Sequence, residues 1–224
     1  MPTRARARAA VVDAAELFRA PIDPAFQQER SRKSYGALLE AATTLFSDQG
    51  YDAVGTPEIA EHAGVSVGTF YRYFDDKHEI YLEVVRRMLV SAYQQTIEGL
   101  GPERFVGRAR HETIGETVAV LFSHVLATPR LSRSFIEMSL RDPAAAALRR
   151  AFEAGAHARL VALITAVAPR TTVPDPEASA FVLYGAAMHT AYGLAGHVGD
   201  APVSAARARD ALVAFVERAL FPST

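Results

Sequence analysis

The feature that most constrains this chain is its helical periodicity. Apolar residues recur at three- and four-residue spacings from end to end, and no sustained apolar–polar alternation marks a strand. Proline and glycine break that pattern at helix-length intervals, so the 224 residues read as an all-α chain of successive short helices. Helices are expected over 5–19, 31–49, 56–64, 67–74 and from about 75 to 98. Past a Gly99–Pro102 linker, more follow over 111–127, 131–140, 143–167, 176–198 and 203–221. Gly50 closes one helix, Pro57 opens the next, Ser66 is placed to cap a third, and Asp75 and Asp76 fit the first turn of a fourth. The expected architecture is a three-helix head over 31–78, preceded by an extension over 1–30 and followed by a helical-bundle body over 79–224.

Composition removes several function classes. The chain has no Cys, which excludes a disulfide scaffold, a Cys-ligated zinc site and a thiol nucleophile. Its 24 Lys and Arg balance 25 Asp and Glu, so nucleic-acid binding has to come from a local surface rather than from overall charge. Asp13 and Glu16 interrupt the apolar stretch that a secretory signal needs. Residues 178–199 carry no formal charge but are rich in Ala and Gly, where a span wants about 20 strongly apolar residues. A cytoplasmic protein without a membrane segment is expected.

The informative stretch runs from Ile59 to Lys77. It reads as a helix, a tight turn at Gly64 and a second short helix, the helix-turn-helix arrangement whose second helix enters the major groove. Projected at about 100° per residue, Phe70 and Phe74 fall together as core anchors, while Arg72 points away from them. Gly68 and Thr69 lie near Arg72, and Tyr71 and Tyr73 flank the outward face. Such a face offers hydrogen bonds to phosphates and base edges, with Arg72 suited to guanine and Thr69 to a thymine methyl. Lys77, at the start of the next helix, is placed to neutralise a phosphate. Taken singly, each tyrosine reads equally well as a half-buried packing residue and the arginine as a solvated one.

Across residues 31–80 the chain resembles the tetracycline-repressor (TetR) family of bacterial transcription regulators. Ala41-Ala42, Leu45-Phe46, Gly50-Tyr51, Ile59-Ala60, Ala63-Gly64-Val65-Ser66, Gly68-Thr69-Phe70-Tyr71, Tyr73-Phe74 and Lys77 carry the likeness. The resemblance implies a homodimer with an N-terminal DNA-binding head and a C-terminal body that binds a small effector and dimerises. It implies that Ser66, Val67, Gly68, Thr69, Tyr71, Arg72 and Tyr73 serve double-stranded operator DNA, with Lys77 on a phosphate. Val54-Gly55 stands where the family commonly has hydroxyl residues, which leaves Thr56 as a cap. Residues 1–33 hold seven Arg or Lys against four Asp or Glu. That excess fits either a basic arm along DNA or a helix packed on the head.

The body has no comparable motif. In the 176–198 segment Ala187, Ala191, Ala195 and Gly199 recur every four residues. Such a row admits close helix approach, and Leu212, Phe215, Val216 and Leu220 form an apolar stripe to match. Two such helices per subunit would build a two-fold interface. Tyr184, Met188 and Tyr192 form another stripe that Phe122, Phe135, Met138 and Phe152 could join around a cavity for an apolar or aromatic effector. His124, His189 or a tyrosine hydroxyl would fix its orientation. The same stripes serve equally well as ordinary core, and His189 as a core histidine. No catalytic pattern appears: His111-Glu112 lacks the HExxH spacing because residue 115 is Gly, and the seven histidines are scattered. No cofactor or metal is expected. The reading is therefore a ligand-responsive dimeric repressor, with an all-helical carrier or enzyme using the apolar body as the alternative.

Overall fold

The computed structural model describes residues 17–18, 29–106 and 109–222, and every regular element among them is helical. Helix α1 spans Glu29–Gln49, α2 Thr56–His62, α3 Val67–Tyr73 and α4 Lys77–Tyr93. A π-helical turn, Gln94–Glu98, and a 3₁₀ turn, Pro102–Phe105, lead into α5, Ala109–Ala127. Then come α6 (Pro129–Arg141), α7 (Pro143–Val167), α8 (Pro176–Leu194) and α9 (Ala205–Leu220). The helix expected over 5–19 lies outside the described residues except for Leu17 and Phe18.

Prolines act as starters here. Pro57, Pro129, Pro143 and Pro176 each occupy the first turn of a helix, where a missing N–H costs nothing. Asp142 and Asp175 cap α7 and α8 by accepting from Ala145 N at 2.8 Å and Ala178 N at 3.0 Å. Asp76 does not enter the first turn of α4 but caps it, accepting from Glu79 N at 2.9 Å, and Asp75 lies outside the helix. Helix α8 stops at Leu194 rather than 198, because Gly196 adopts φ +73° and His197 N donates back to Tyr192 O at 2.9 Å.

Among the described residues, three apolar clusters organise the fold. The largest joins α1–α4 to α6 and α7 through Phe46, Phe70, Tyr81, Leu131 and Phe135, so head and body share one core. The expected boundary at 78/79 falls in the first turn of α4, whose Ile80, Tyr81, Val84 and Val85 belong to this cluster. A second cluster lies between α5, α8 and α9, and a small third one closes the far end around Ile164, Val173 and Leu220.

The small-residue row on α8 works differently from the expectation. Ala191 is 0% exposed, and Ala187 and Ala195 pack with it on the α5–α9 cluster of the same chain. The close approach such a row permits is therefore spent within the subunit, and Gly199 lies beyond the helix with φ +110°. The α9 stripe divides likewise: Leu212 and Leu220 are buried, whereas Phe215 is 44% exposed.

Candidate nucleic-acid interface

Gly50 ends α1 with φ +82°, and Gly64, at φ +67°, makes the turn between α2 and α3. A side chain would strain both conformations. Val65 N donates to Ala60 O at 3.0 Å, which folds the chain sharply into the α3 cap. There Ser66 Oγ accepts from Thr69 N at 3.1 Å and meets Thr69 Oγ1 at 2.9 Å.

The seating of α3 is fixed by its aromatic residues. Phe70 is 0% exposed and Phe74 3%, with Tyr35 stacked on Phe74 at 5.3 Å. The opposite side is open: Ser66, Val67, Gly68, Tyr71 and Arg72 are exposed. Thr69 is half-buried, its hydroxyl engaged by the cap. Two neighbours depart from the sequence expectation. Tyr73 is half-buried and meets Tyr35 edge-on at 5.8 Å, so it leans into the head instead of flanking the outward face. Lys77 Nζ donates to Tyr51 O at 2.9 Å and lies 4.3 Å from the Tyr51 ring centroid. Its charge is thus turned back toward the α1–α2 loop.

One participant was missed by sequence reasoning. Thr56 does not cap α2, because Gly55 holds that position without a side-chain bond. Its hydroxyl instead meets Tyr71 Oη at 3.1 Å, adding a second helix's hydroxyl to the open face of α3. A helical projection of one element cannot reveal such a pair, since it arises from the crossing of α2 and α3.

Behind the head, two polar contacts reach the body. Tyr51 N donates to Ser134 Oγ of α6 at 3.4 Å. His78 Nε2 stands 3.2 Å from the Asp142 carboxylate, an ion-pair distance without hydrogen-bond alignment.

The residues expected around an effector do not meet at one void. Phe135, Met138 and Phe152 belong to the cluster shared with the head, while Phe122 and Tyr192 belong to the α5–α8–α9 cluster. Tyr184 and Met188 are half-buried, and Tyr184 and Tyr192 share the neighbourhood of Arg149, which pairs with Glu153 at 2.8 Å and donates to Ser139 Oγ at 3.2 Å. Burial pushes both tyrosine hydroxyls up from their usual range, so they stay protonated donors. His189 is exposed, not a core histidine, because α8 turns that face outward. A cleft of about 350 Å³ opens elsewhere, between α5 and α9, lined by His111, Glu112, Glu116, Arg209 and Asp210.

Comparison with known proteins follows the same outline. The family described as "Bacterial regulatory proteins, tetR family" matches residues 38–84, which span the latter part of α1 through the first half of α4. Over these residues the head is similar to that of TetR-family regulators. The transcriptional activator FasR of Mycolicibacterium smegmatis is 46% identical over 65 residues, covering 28% of this chain and 30% of that protein. The transcriptional repressor KstR of Rhodococcus jostii is 37% identical over 87 residues, or 39% of each. The chain therefore spans about a third of the length of these relatives, and both are regulators by name. A solved structure from Mesorhizobium loti, assigned by name to the TetR family, is 26% identical with a TM-score of 0.62. It covers 86% of this chain and 98% of that one, which extends the likeness from the TetR head to the fold of the body. Among the described residues no helix is long and apolar enough to cross a membrane, and no group of three His, Asp or Glu side chains is placed to hold a metal.

Proposed function

We propose that this chain is a dimeric, effector-responsive transcriptional regulator that represses by occupying a pseudo-palindromic operator. The open face of α3 carries this reading: Ser66, Val67, Gly68, Tyr71 and Arg72 stand clear of the core, with half-buried Thr69 at its margin, because Phe70 and Phe74 are sunk into it. Arg72 reads a base edge, Thr56 and Tyr71 supply hydroxyls to the backbone, and Tyr73 and Lys77 brace the helix from behind through Tyr35 and Tyr51. Two heads then sit about 34–36 Å apart on successive major grooves.

Dimerisation follows from the face that α8 and α9 leave uncovered. Phe181 is 72% exposed, Val182 56% and Phe215 44%, and Gly185 and His189 continue the α8 face. An apolar surface of this kind is what a two-fold contact between copies buries. In the body, an apolar effector engages the cluster shared with the head through Phe135, Met138 and Phe152, and motion of α6 and α7 reaches the head through Tyr51–Ser134 and His78–Asp142. The effector releases DNA only to the extent that it prefers the non-operator state, with each tenfold preference worth about 1.4 kcal/mol.

The test begins with selection of bound DNA from a random pool, expected to yield a two-fold symmetric site. Arg72→Ala should then lose about 1–3 kcal/mol on that site, with a much smaller loss on random DNA and unchanged helicity. No enriched sequence, or equal loss on both DNAs, would sink the assignment of α3 as the reading element.

A further inference from the structure

Leu17 and Phe18 are the described part of the chain that precedes α1, and both are built into the molecule. Leu17 is 1% exposed in the core shared by head and body. The Phe18 ring stacks on Tyr93, with centroids 3.8 Å apart and planes inclined by 22°, and Phe152 of α7 stands 6.2 Å away.

The floor of this slot is Gly155, in the middle of the 25-residue α7. A Cβ added there would run into Cε2 of Phe18. Glycine weakens a helix interior, and α7 carries its single interior glycine where the edge of a ring from a segment distant in sequence comes against it. The opposite wall is equally particular. Tyr93 is the last residue of α4 before the π turn Gln94–Glu98, and π segments concentrate at functional sites. Arg159 of α7 donates to Leu100 O at 2.6 Å, which ties α7 to the chain leaving that turn. Tyr93, Phe152 and Gly155 are each only partly buried, and none carries a formal charge.

We propose that this slot is a ligand site occupied by the chain itself, and that a planar, uncharged ring of about phenyl size competes with Phe18 for it. The Tyr93 ring, on which Phe18 stacks, selects a planar partner, and Gly155 leaves room for that partner's edge. Because the slot joins α4, which is continuous with the head, to α7 of the body, exchange of Phe18 for a free ring replaces a contact of the chain itself where the two meet. This step rests on the effector-responsive reading above and gives the effector a chemical class.

The chain has no Trp, so Phe18→Trp in the full-length protein introduces a single reporter. Its emission should be blue-shifted at rest and move to that of a solvated indole as toluene is added. Phe18→Ala, which removes the tethered competitor, should bind toluene about tenfold tighter than the parent chain by calorimetry. Gly155→Leu should abolish that binding, and circular dichroism checks that helix content is kept. Phe18→Leu, which retains an apolar side chain but no ring, gives a milder variant expected to fall between parent and alanine. A solvated indole from the outset, or equal toluene affinity in parent and Phe18→Ala, would overturn the slot. Operator binding in the same samples separates the two readings. If the parent chain shows no operator recognition before toluene is added although competition is seen, the regulator falls; equal toluene affinity in parent and Phe18→Ala with operator binding present sinks the slot.

Discussion

The Lys77 ammonium is held twice, by the Tyr51 carbonyl and the Tyr51 ring, and this double hold decides what its removal does. A charged hydrogen bond and a cation–π contact together contribute about 1–3 kcal/mol in a half-buried setting. Lys77→Met is therefore expected to lower the unfolding midpoint in urea while changing the salt slope of DNA binding little. A phosphate contact would instead reduce that slope by about 1, so a salt titration of both proteins decides the role. Two half-buried histidines set a pH dependence. Burial lowers the pKa of His124 below its usual 6.5 and does the same to His197, where Arg133 adds to the effect and Glu137 opposes it. His197 accepts or donates at Nε2 to Ser132 Oγ at 2.7 Å, and Nδ1 is buried without a partner. Because the unfolded chain binds these protons more readily, stability is fully present above about pH 6.5 and falls as pH drops from there through the folded values. Thermal melts between pH 7.5 and 5 should show this loss, and His124→Phe combined with His197→Gln should flatten it.

Helices α8 and α9 separate two kinds of small or apolar residue that look alike in sequence. Ala191 is buried against its own chain, so Ala191→Leu overpacks a core contact, costs about 1–3 kcal/mol and lowers the melting temperature without splitting a dimer. Phe181 is open, so Phe181→Glu should leave the monomer folded and dissociate the dimer. Sedimentation velocity and calorimetry on the two variants give opposite results if the interface uses the Phe181 face. The same contrast marks how far sequence reached. Pro143, Pro176, Ser66 and Gly50 place their helix ends locally, and the Phe70–Phe74 spacing orients α3, because caps and one-turn repeats depend on neighbours in the chain. The inward turn of Ala191, the Thr56–Tyr71 pair, the backward reach of Lys77 and the dispersal of the expected effector residues all depend on which helix crosses which. Periodicity in one helix carries no record of that.

At the scale of the whole molecule, head and body are not two balls on a string. The shared core around Phe46, Tyr81 and Leu131 makes any movement of α6 or α7 a movement of the head's own foundation. Helix α4 passes through both without a break, from Lys77 at the α3 junction to Tyr93 at the Phe18 slot. It therefore acts like a keyed shaft. Adding one residue to its middle rotates everything beyond by about 100° and shifts it by about 1.5 Å. A hybrid that grafts this head onto a foreign sensor should repress only when the splice within α4 preserves that angular phase. Splices offset by one or two residues should express folded protein that fails to bind operator in a gel shift, whereas an offset of seven, close to two full turns, should recover part of the binding.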